Sequence, residues 1–515
     1  MTTDNSNILT AGKIRFMHLF LLCTFQLLLG VFYLGSVPRI YMDEAWDASL
    51  GHELAETGVL RHPFIYHLGG MEIYYLPPRV ILPIICAGLF KIAGYSIAIS
   101  RLPALLMGVL AVVILYHIVE QFFKNKQSFF ICLAVIINPW FWSNCRRCRP
   151  EMLYTALALL FLWLMISYFR RDRLLIAFLA GTTAGLASLA HPNGFTMVVA
   201  VSIAWIMWKE NPHLLRFVIW AIAGFMLIIL PYIFYVFWAT RQPGVSFIVQ
   251  MHSNRLQFSV IQNEMVRWKS FFQLPFGIPI ALVMFMSWLL AWCKSTAEDK
   301  FAATVVAVYI LALPFFSVNR IPDYLVVTIP FFSILIVRLI FRLREFSYLH
   351  DSKKLYWAIK SAIILIYIIS SLPPVMLLLY KQHDADFNRV VDEVAKVVGP
   401  KERVYADPIF WVGHDKYIYG PYFVETDVTM TLKDLLQWAY SQSFEYAVRT
   451  SWYIRPPQGF RKLPDKMPEF RSNVIADILC NKVGTKVYEF YDEYYGPVEI
   501  YKLDWSNAWK WRLKK

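Results

Sequence analysis

Three carboxylates lie within five residues near the beginning of the chain, at Asp43, Glu44 and Asp47. They follow an apolar run from Phe16 to Val37, so they lie where a helix of that length would leave a bilayer. Ionisable side chains beside a membrane exit are costly and usually serve a function. We therefore treat Asp43 and Glu44 as candidate catalytic residues, and ask which elements position them.

The composition indicates an integral membrane protein. The 515 residues are 58% hydrophobic and only 17% charged, whereas soluble globular proteins average roughly 45–50% apolar and about 25% charged residues. The net charge is +14, and Lys and Arg in short cytoplasmic loops account for such an excess. We therefore expect no nucleic-acid partner.

Eleven apolar runs suit a membrane-spanning helix, which needs about 20 residues. They lie at 14–35, 101–122, 128–143, 151–169, 174–190, 195–208, 214–238, 272–293, 301–317, 322–341 and 356–380. With eleven spans, six clusters of Lys and Arg fall on one side, which the positive-inside rule makes cytoplasmic. The sequence thus predicts a polytopic α-helical protein of about eleven transmembrane helices, with its N-terminus inside and its C-terminus outside.

The apolar stretch 80–97 does not fit as a twelfth span. Counting it would put Lys124 and Arg170 on the opposite side from Lys13, against the positive-inside rule. We therefore predict a helix at the outer interface that ends at Gly94. It would belong to a long first outer loop, 36–100, which also carries the acidic cluster.

Two further outer loops carry arginines that the positive-inside rule does not explain. One holds Arg147 and Arg149, and the other holds Arg320 and Tyr324. Because a planar guanidinium group binds phosphate oxygens in pairs, arginines that converge with the acidic cluster suggest a site for a phosphorylated ligand. A third outer loop, 239–271, is long enough to form a lid.

The character of the chain changes after residue 380. Residues 381–515 are charged and aromatic and contain no span. Within them, 386–398 has helical apolar spacing, whereas 402–406 and 497–501 read as strands. We predict a transmembrane catalytic domain over 1–380, followed by a small α/β domain on the outer side.

Four segments together resemble the C-type membrane glycosyltransferases (GT-C). They are Asp43-Glu44-Ala45-Trp46, Tyr74-Tyr75-Leu76-Pro77-Pro78 with Arg101-Leu102-Pro103, Arg147-Cys148-Arg149-Pro150-Glu151, and Asn319-Arg320-Ile321-Pro322-Asp323-Tyr324. Their order and spacing are similar to those of the branch that holds protein O-mannosyltransferases and lipid A aminoarabinose transferases. Glu151 stands where many relatives carry Asp, and the resemblance does not extend to 381–515.

The resemblance implies an inverting transfer of a sugar from a polyprenyl-phosphate donor to an acceptor hydroxyl or phosphate outside the membrane. Such a reaction needs a carboxylate that takes the acceptor's proton and positive charge on the leaving phosphate. Asp43 is then the candidate base, and Glu44 orients the base or the acceptor. Glu151 is a second acid or a metal ligand, and Asp47 is read as a salt-bridging residue outside the site.

For the lipid phosphate we favour Arg149, then Arg147, with Arg320 and Tyr324 contributed by a later part of the chain. Each candidate also has a structural alternative. Asp43 could be a helix N-cap. Glu151 could be a first-turn residue that the dipole of its helix favours. The arginines and the tyrosine could contact lipid headgroups.

The sequence leaves the cofactor open. His62, His67 and His191 lie in outer loops and could bind a divalent cation beside the carboxylates. Cys145 and Cys148 could form a disulfide in an oxidising compartment or be two unrelated thiols.

The implied setting is a bacterial inner membrane, with the site facing the periplasm or the cell exterior, because the chain lacks the large lumenal insert of the eukaryotic protein mannosyltransferases. The expected partners are a polyprenyl-phosphate-linked sugar, an acceptor lipid, glycan or protein, and membrane lipids. The alternative class is a transporter or flippase of a lipid-linked or anionic substrate, although transporters place their charges near the bilayer midplane. The sequence names neither the sugar nor the acceptor.

Overall fold

Helices occupy nearly all of the first part of the chain. The structure is a computed structural model that describes residues 3–40, 42–62, 70–209, 213–252, 277–293, 295–316, 322–345, 352–399, 402–406, 409–410, 418–419, 432–441, 443–450 and 479–506. Statements about its arrangement refer to these residues.

An apolar helix lies at each of the eleven positions where the sequence predicts a span. The helices are Thr3–Val31, Ile97–Val119, Asn125–Ile137, Glu151–Arg171, Leu174–Ala190, Pro192–Trp208, Leu214–Ala239, Gly277–Leu290, Ala297–Phe316, Ile329–Arg342 and Lys353–Gln382. Within the described residues, six helical stretches are long and apolar enough to cross a membrane, and the others are shorter. The predicted class, a multi-pass α-helical membrane protein, is confirmed. The count of eleven spans and their orientation stay predictions.

The predicted span 128–143 is not one helix. The helix Asn125–Ile137 ends at Asn138, and a short helix, Pro139–Asn144, follows it. The Asn138 side chain accepts hydrogen bonds from the main-chain N–H groups of Trp140 and Phe141. Because Pro139 has no N–H to donate, it suits the first position of a new helix.

The first outer loop holds two helices, Met42–Thr57 and Ile81–Ala93. The second has 13 residues, too few to span a bilayer. It ends at Gly94, whose φ is +76° and whose N–H donates to the Phe90 carbonyl. The two helices cross closely at Gly51, where an added Cβ would lie 2.7 Å from the Cβ of Cys86.

The last part of the chain forms the predicted α/β structure around a five-stranded sheet of order β2-β1-β3-β5-β4. Its strands are β1 Arg403–Tyr405, β2 Ile418–Tyr419, β3 Tyr446–Thr450, β4 Gly484–Asp492 and β5 Gly496–Leu503. Strand β1 is parallel to β2 and β3, whereas β5 is antiparallel to β3 and β4. Helices Phe387–Ala395 and Leu432–Ser441 and a π-helical turn, Leu479–Val483, accompany the sheet. The domain boundary near residue 380 stays a prediction.

The helix Leu214–Ala239 is mostly exposed, with only 11% of its most apolar window buried. It packs against the helix Leu174–Ala190 through glycines. A Cβ added at Gly224 would lie 2.0 Å from the Phe178 carbonyl oxygen, and one added at Gly181 would lie 1.8 Å from the Ala221 carbonyl oxygen. Small residues let membrane helices approach this closely.

Gly224→Ala is expected to loosen this helix pair. The new methyl group would collide with main-chain atoms that cannot turn away, and overpacking of this kind costs about 1–3 kcal/mol. The check is the melting temperature in detergent micelles. Gly88→Ala in the helix Ile81–Ala93 is the control, since its added Cβ meets nothing within 4 Å. Equal melting temperatures for the two variants would contradict the close contact.

Candidate active site

Arg146 lies in the loop 145–150, which we call the arginine loop, and it holds the end of the first helix. It donates hydrogen bonds to the main-chain carbonyl oxygens of Leu29, Gly30, Phe32 and Val37. The last carbonyls of a helix have no partner within the helix, and Arg146 satisfies several at once. It therefore fixes the path of the chain towards Asp43.

Glu44 and Arg101 form a buried ion pair. Arg101 Nε and Nη2 lie 2.8 and 2.9 Å from the two Glu44 carboxylate oxygens, and the two side chains are 0% and 2% exposed. Glu44 Oε2 also accepts from the Cys148 N–H at 2.9 Å, and Arg101 donates to the carbonyls of Leu34 and Pro38. Glu44 thus joins its own helix to the helix Ile97–Val119 and to the arginine loop.

Asp43, Arg149 and Glu151 come together in the structure. Asp43 Oδ2 lies 3.1 Å from Arg149 Nη1, and Glu151 Oε1 lies 2.6 Å from Arg149 Nη2. Arg149 and Glu151 are each 1% exposed, whereas the Asp43 side chain is 17% exposed. Burial lowers the pKa of Arg149, but the neighbouring carboxylates outweigh it and raise the pKa well above its usual value. The guanidinium group therefore stays charged.

Asp323 completes this network and was not identified from the sequence. Its carboxylate accepts from Asn144 Nδ2 at 3.2 Å and from Arg147 Nη1 at 3.1 Å. It also lies 3.4 Å from Arg149 Nη1. An acid beside Tyr324 at the head of a span was visible in the sequence, but nothing there showed which cations it faces.

Tyr324 is buried, and its ring lies 5.0 Å from the ring of His191. The charges of Arg149 and Arg79 both act on its hydroxyl. The structure therefore brings Tyr324 to the same site as the arginines. Arg320 lies outside the described residues.

Arg79 and Asp47 form a second pair at this site. Arg79 Nη2 binds Asp47 Oδ2, and the Asp47 side chain is 0% exposed. Burial, only partly offset by Arg79, raises the pKa of Asp47 to about 7. This pair agrees with the sequence interpretation of Asp47 as a salt-bridging residue, but Asp47 lies at the site and not outside it. Its one-turn spacing from Asp43 places both on one face of the helix, which was the available indication that Asp47 belongs to the site.

The predicted metal ligands that lie within the described residues belong to no metal-binding cluster. No group of three or more His, Cys, Asp or Glu residues within the described ranges is arranged to hold a metal ion. His62 is buried with its ring 4.2 Å from Trp46. His191 Nδ1 accepts from the Asn193 N–H and caps the helix Pro192–Trp208. His67 lies outside the described residues, and the cofactor stays open.

Cys145 and Cys148 are separate thiols with different neighbours. Cys145 Sγ lies 3.2 Å from Gln26 Nε2, whereas Cys148 Sγ lies 3.9 Å from Cys86 Sγ.

Residues 77–235 match the family described as dolichyl-phosphate-mannose-protein mannosyltransferase. The matched range includes Arg79, Arg147, Arg149 and Glu151, and it begins after Asp43. A comparison with curated proteins finds no match.

Solved structures share the fold. ArnT from Cupriavidus metallidurans, bound to undecaprenyl phosphate, is 14% identical, with a TM-score of 0.59 over 93% of this chain and 97% of that chain. AglB from Archaeoglobus fulgidus, in complex with an inhibitory peptide and a dolichol-phosphate, is 11% identical, with a TM-score of 0.58 over 93% of this chain and 80% of that chain. The fold is thus that of GT-C membrane proteins. Together with the family match over residues 77–235, this fold confirms the resemblance to C-type membrane glycosyltransferases drawn from the sequence.

Arg101→Ala is expected to cost about 3–5 kcal/mol of stability, since it leaves the buried Glu44 carboxylate without its cation. Denaturant unfolding in micelles measures this loss, and a cycle with Glu44→Gln isolates the pair. Arg15→Ala is the control, because Arg15 forms a partly exposed ion pair with Glu120 and such pairs contribute about 1 kcal/mol or less. Similar losses for the two arginine variants would show that the buried pair has no special role.

Proposed function

We propose that the chain transfers a sugar from a polyprenyl-phosphate donor to an acceptor hydroxyl or phosphate, with inversion and with Asp43 as the base. Exposure of the carboxylates carries this proposal. The Asp43 side chain is 17% exposed, whereas Glu44 and Glu151 are 2% and 1% exposed. A base must reach the substrate's proton, and of these three acids only Asp43 has that access.

In the proposed reaction the acceptor oxygen attacks the anomeric carbon and its proton passes to Asp43. The bond between that carbon and the phosphate oxygen breaks, and its electron pair leaves with polyprenyl phosphate. Arg149 orients the Asp43 carboxylate through the 3.1 Å contact. Glu151 in turn orients Arg149, and Glu44 holds the start of the helix. Glu44 and Glu151 are therefore positioning residues.

The charge balance of the site explains why it needs its arginines. Among the described residues, four carboxylates face three guanidinium groups. They are Asp43, Asp47, Glu151 and Asp323, with Arg79, Arg147 and Arg149. A donor phosphate adds further negative charge, so it must contact cations directly. The Arg147 side chain is 22% exposed and can reach such a ligand, while Arg149 shields the phosphate from the acids. We place Arg320 and the Tyr324 hydroxyl in the same role.

An apolar cavity beside the site suits the lipid part of the donor. It has a volume of about 480 Å³ and lies between the helices Gly277–Leu290, Ala297–Phe316 and Ile329–Arg342. Leu325 and Thr328 line it, directly after Tyr324. An isoprenoid tail could therefore enter the cavity while its phosphate stays near the tyrosine.

We place the enzyme in a bacterial inner membrane, with its site facing the periplasm or the cell exterior. The transporter alternative has less support, because the charged residues of the site lie in loops and at helix ends. The acceptor is a lipid, a glycan or a protein of that outer space.

Asp43→Asn is expected to lower sugar transfer by about 10²–10⁴-fold without unfolding the protein, since the amide keeps the shape but cannot take a proton. Mass spectrometry of envelope lipids, glycans and proteins from a complemented deletion strain measures the transfer. Glu56→Gln, an exposed acid of the same helix, is the control and should transfer normally. Normal transfer by Asp43→Asn would remove Asp43 as the base.

Arg149→Ala is expected to weaken the binding of polyprenyl phosphate by about tenfold or more, and more than it weakens acceptor binding. Asp43 and Glu151 would lose the cation beside them and repel the phosphate, whereas Asp323 would keep its contact with Arg147. Tryptophan fluorescence in micelles can report the affinity. Arg241→Ala is the control, because Arg241 is exposed and stacks on Phe237. An unchanged affinity would exclude Arg149 from phosphate binding.

A further inference from the structure

Arg79 differs from Arg146 and Arg149 in how few of its donors are engaged. Arg146 contacts four carbonyls, and Arg149 contacts three carboxylates. Arg79 makes one ion pair, to Asp47, within the described part of the chain. Its Nε is buried without a hydrogen-bond partner, and so is Asp47 Oδ1. Buried polar groups nearly always have partners, so this pair has bonding capacity for a ligand.

The guanidinium group of Arg79 lies near the other charged groups of the site. Its side chain is 16% exposed, so a ligand can reach it. Asp43 and Tyr324 both interact electrostatically with Arg79, and so does Glu151. Arg79 therefore lies at the site from which the sugar would be transferred.

The main chain that carries Arg79 is held firmly. Gln250 donates to the Tyr74 carbonyl and accepts from the Leu76 N–H, each at 3.0 Å. Tyr232 and Tyr235 donate to the carbonyls of Leu76 and Tyr75. The guanidinium group can therefore turn from one anion to another while its backbone stays fixed.

We propose that Arg79 binds the phosphate of the lipid donor, and that Asp47 is the counter-ion which Arg79 exchanges for that phosphate. This inference rests on the proposed function. Arg79 would thus be a further residue in direct contact with the substrate, and Asp47 would be a positioning residue that orients Arg79 while no donor is bound.

The exchange has a consequence for protons. Among the described residues, five charged or titratable groups interact with Asp47: Arg79 and Tyr75 from one loop, Asp43 from its own helix, Glu151 from the helix Glu151–Arg171 and Cys148 from the loop before that helix. Arg79 is the one cation among them. When Arg79 turns to the phosphate, the buried carboxylate loses its cation and its pKa, already raised to about 7, rises further. Donor binding therefore takes up a proton and weakens as pH rises above about 7.

The test measures the affinity of polyprenyl phosphate in micelles from pH 6 to 8.5. The proteins are wild type, Arg79→Ala, Arg79→Lys and Asp47→Asn. Titration calorimetry in two buffers of different ionisation enthalpy counts the protons taken up. Arg61→Ala is the control, since Arg61 forms a partly exposed ion pair with Glu53 in the same outer loop.

We expect Arg79→Ala to bind about tenfold or more weakly. Arg79→Lys should lie between it and the wild type, because lysine keeps the charge but not the fork. Asp47→Asn should bind as tightly as the wild type or tighter, and should lose the extra proton uptake. Because the phosphate itself titrates near pH 6, Asp47→Asn supplies the reference curve. Arg61→Ala should match the wild type.

Two results would overturn the inference and leave the proposed function intact. One is an unchanged affinity in Arg79→Ala. The other is an Asp47→Asn variant that binds as weakly as Arg79→Ala, since the pair would then be a structural support. Melting temperatures identify variants that fail to fold. If Arg79→Ala does not fold, the affinity of Arg79→Lys for polyprenyl phosphate tests the inference instead. A folded wild type that does not bind polyprenyl phosphate would instead reject the proposed function.

Discussion

The buried contact of Arg149 with Asp43 and Glu151 is the interaction on which the site depends. It joins parts of the chain that are about a hundred residues apart, and Asp323 adds a third. Charges removed from water are stable only when they are paired in good geometry, so each of these segments must be held in place. The Glu44–Arg101 pair and the Arg146 contacts with the end of the first helix hold them there.

The convergence of Asp43, Arg147, Arg149 and Tyr324 could be anticipated because charge is conspicuous in an apolar chain. An arginine in an outer loop breaks the positive-inside pattern, so each such arginine can be identified from the sequence alone. Which carboxylate each arginine pairs with could not be predicted in this way. Asp323 lies beside predicted residues, yet its role depends on which cations it faces across the fold.

The secondary structure also has features that the local sequence predicts and features that it does not. Each predicted span overlaps a helix, although 128–143 contains two, because length and apolarity are local properties. Asn138 and Pro139 are a helix-start signal in the sequence, but the apolar residues on both sides of them led to the prediction of a single span. In the last part of the chain the strand 497–501 falls within Gly496–Leu503. The sheet order, which puts β3 between parallel β1 and antiparallel β5, depends on pairings between distant residues that local patterns do not contain.

The exposed helix Leu214–Ala239 packs on one neighbour through glycines, and its tyrosines bond the loop ahead of Arg79. Most of its remaining surface is exposed and apolar, which suits contact with acyl chains. The tilt of this helix therefore depends on bilayer thickness and lipid packing, and a change in tilt would reach the loop through two hydroxyl groups. The surrounding lipid is thus a mechanical support of the active site, and the choice of membrane mimetic becomes a variable of the chemistry.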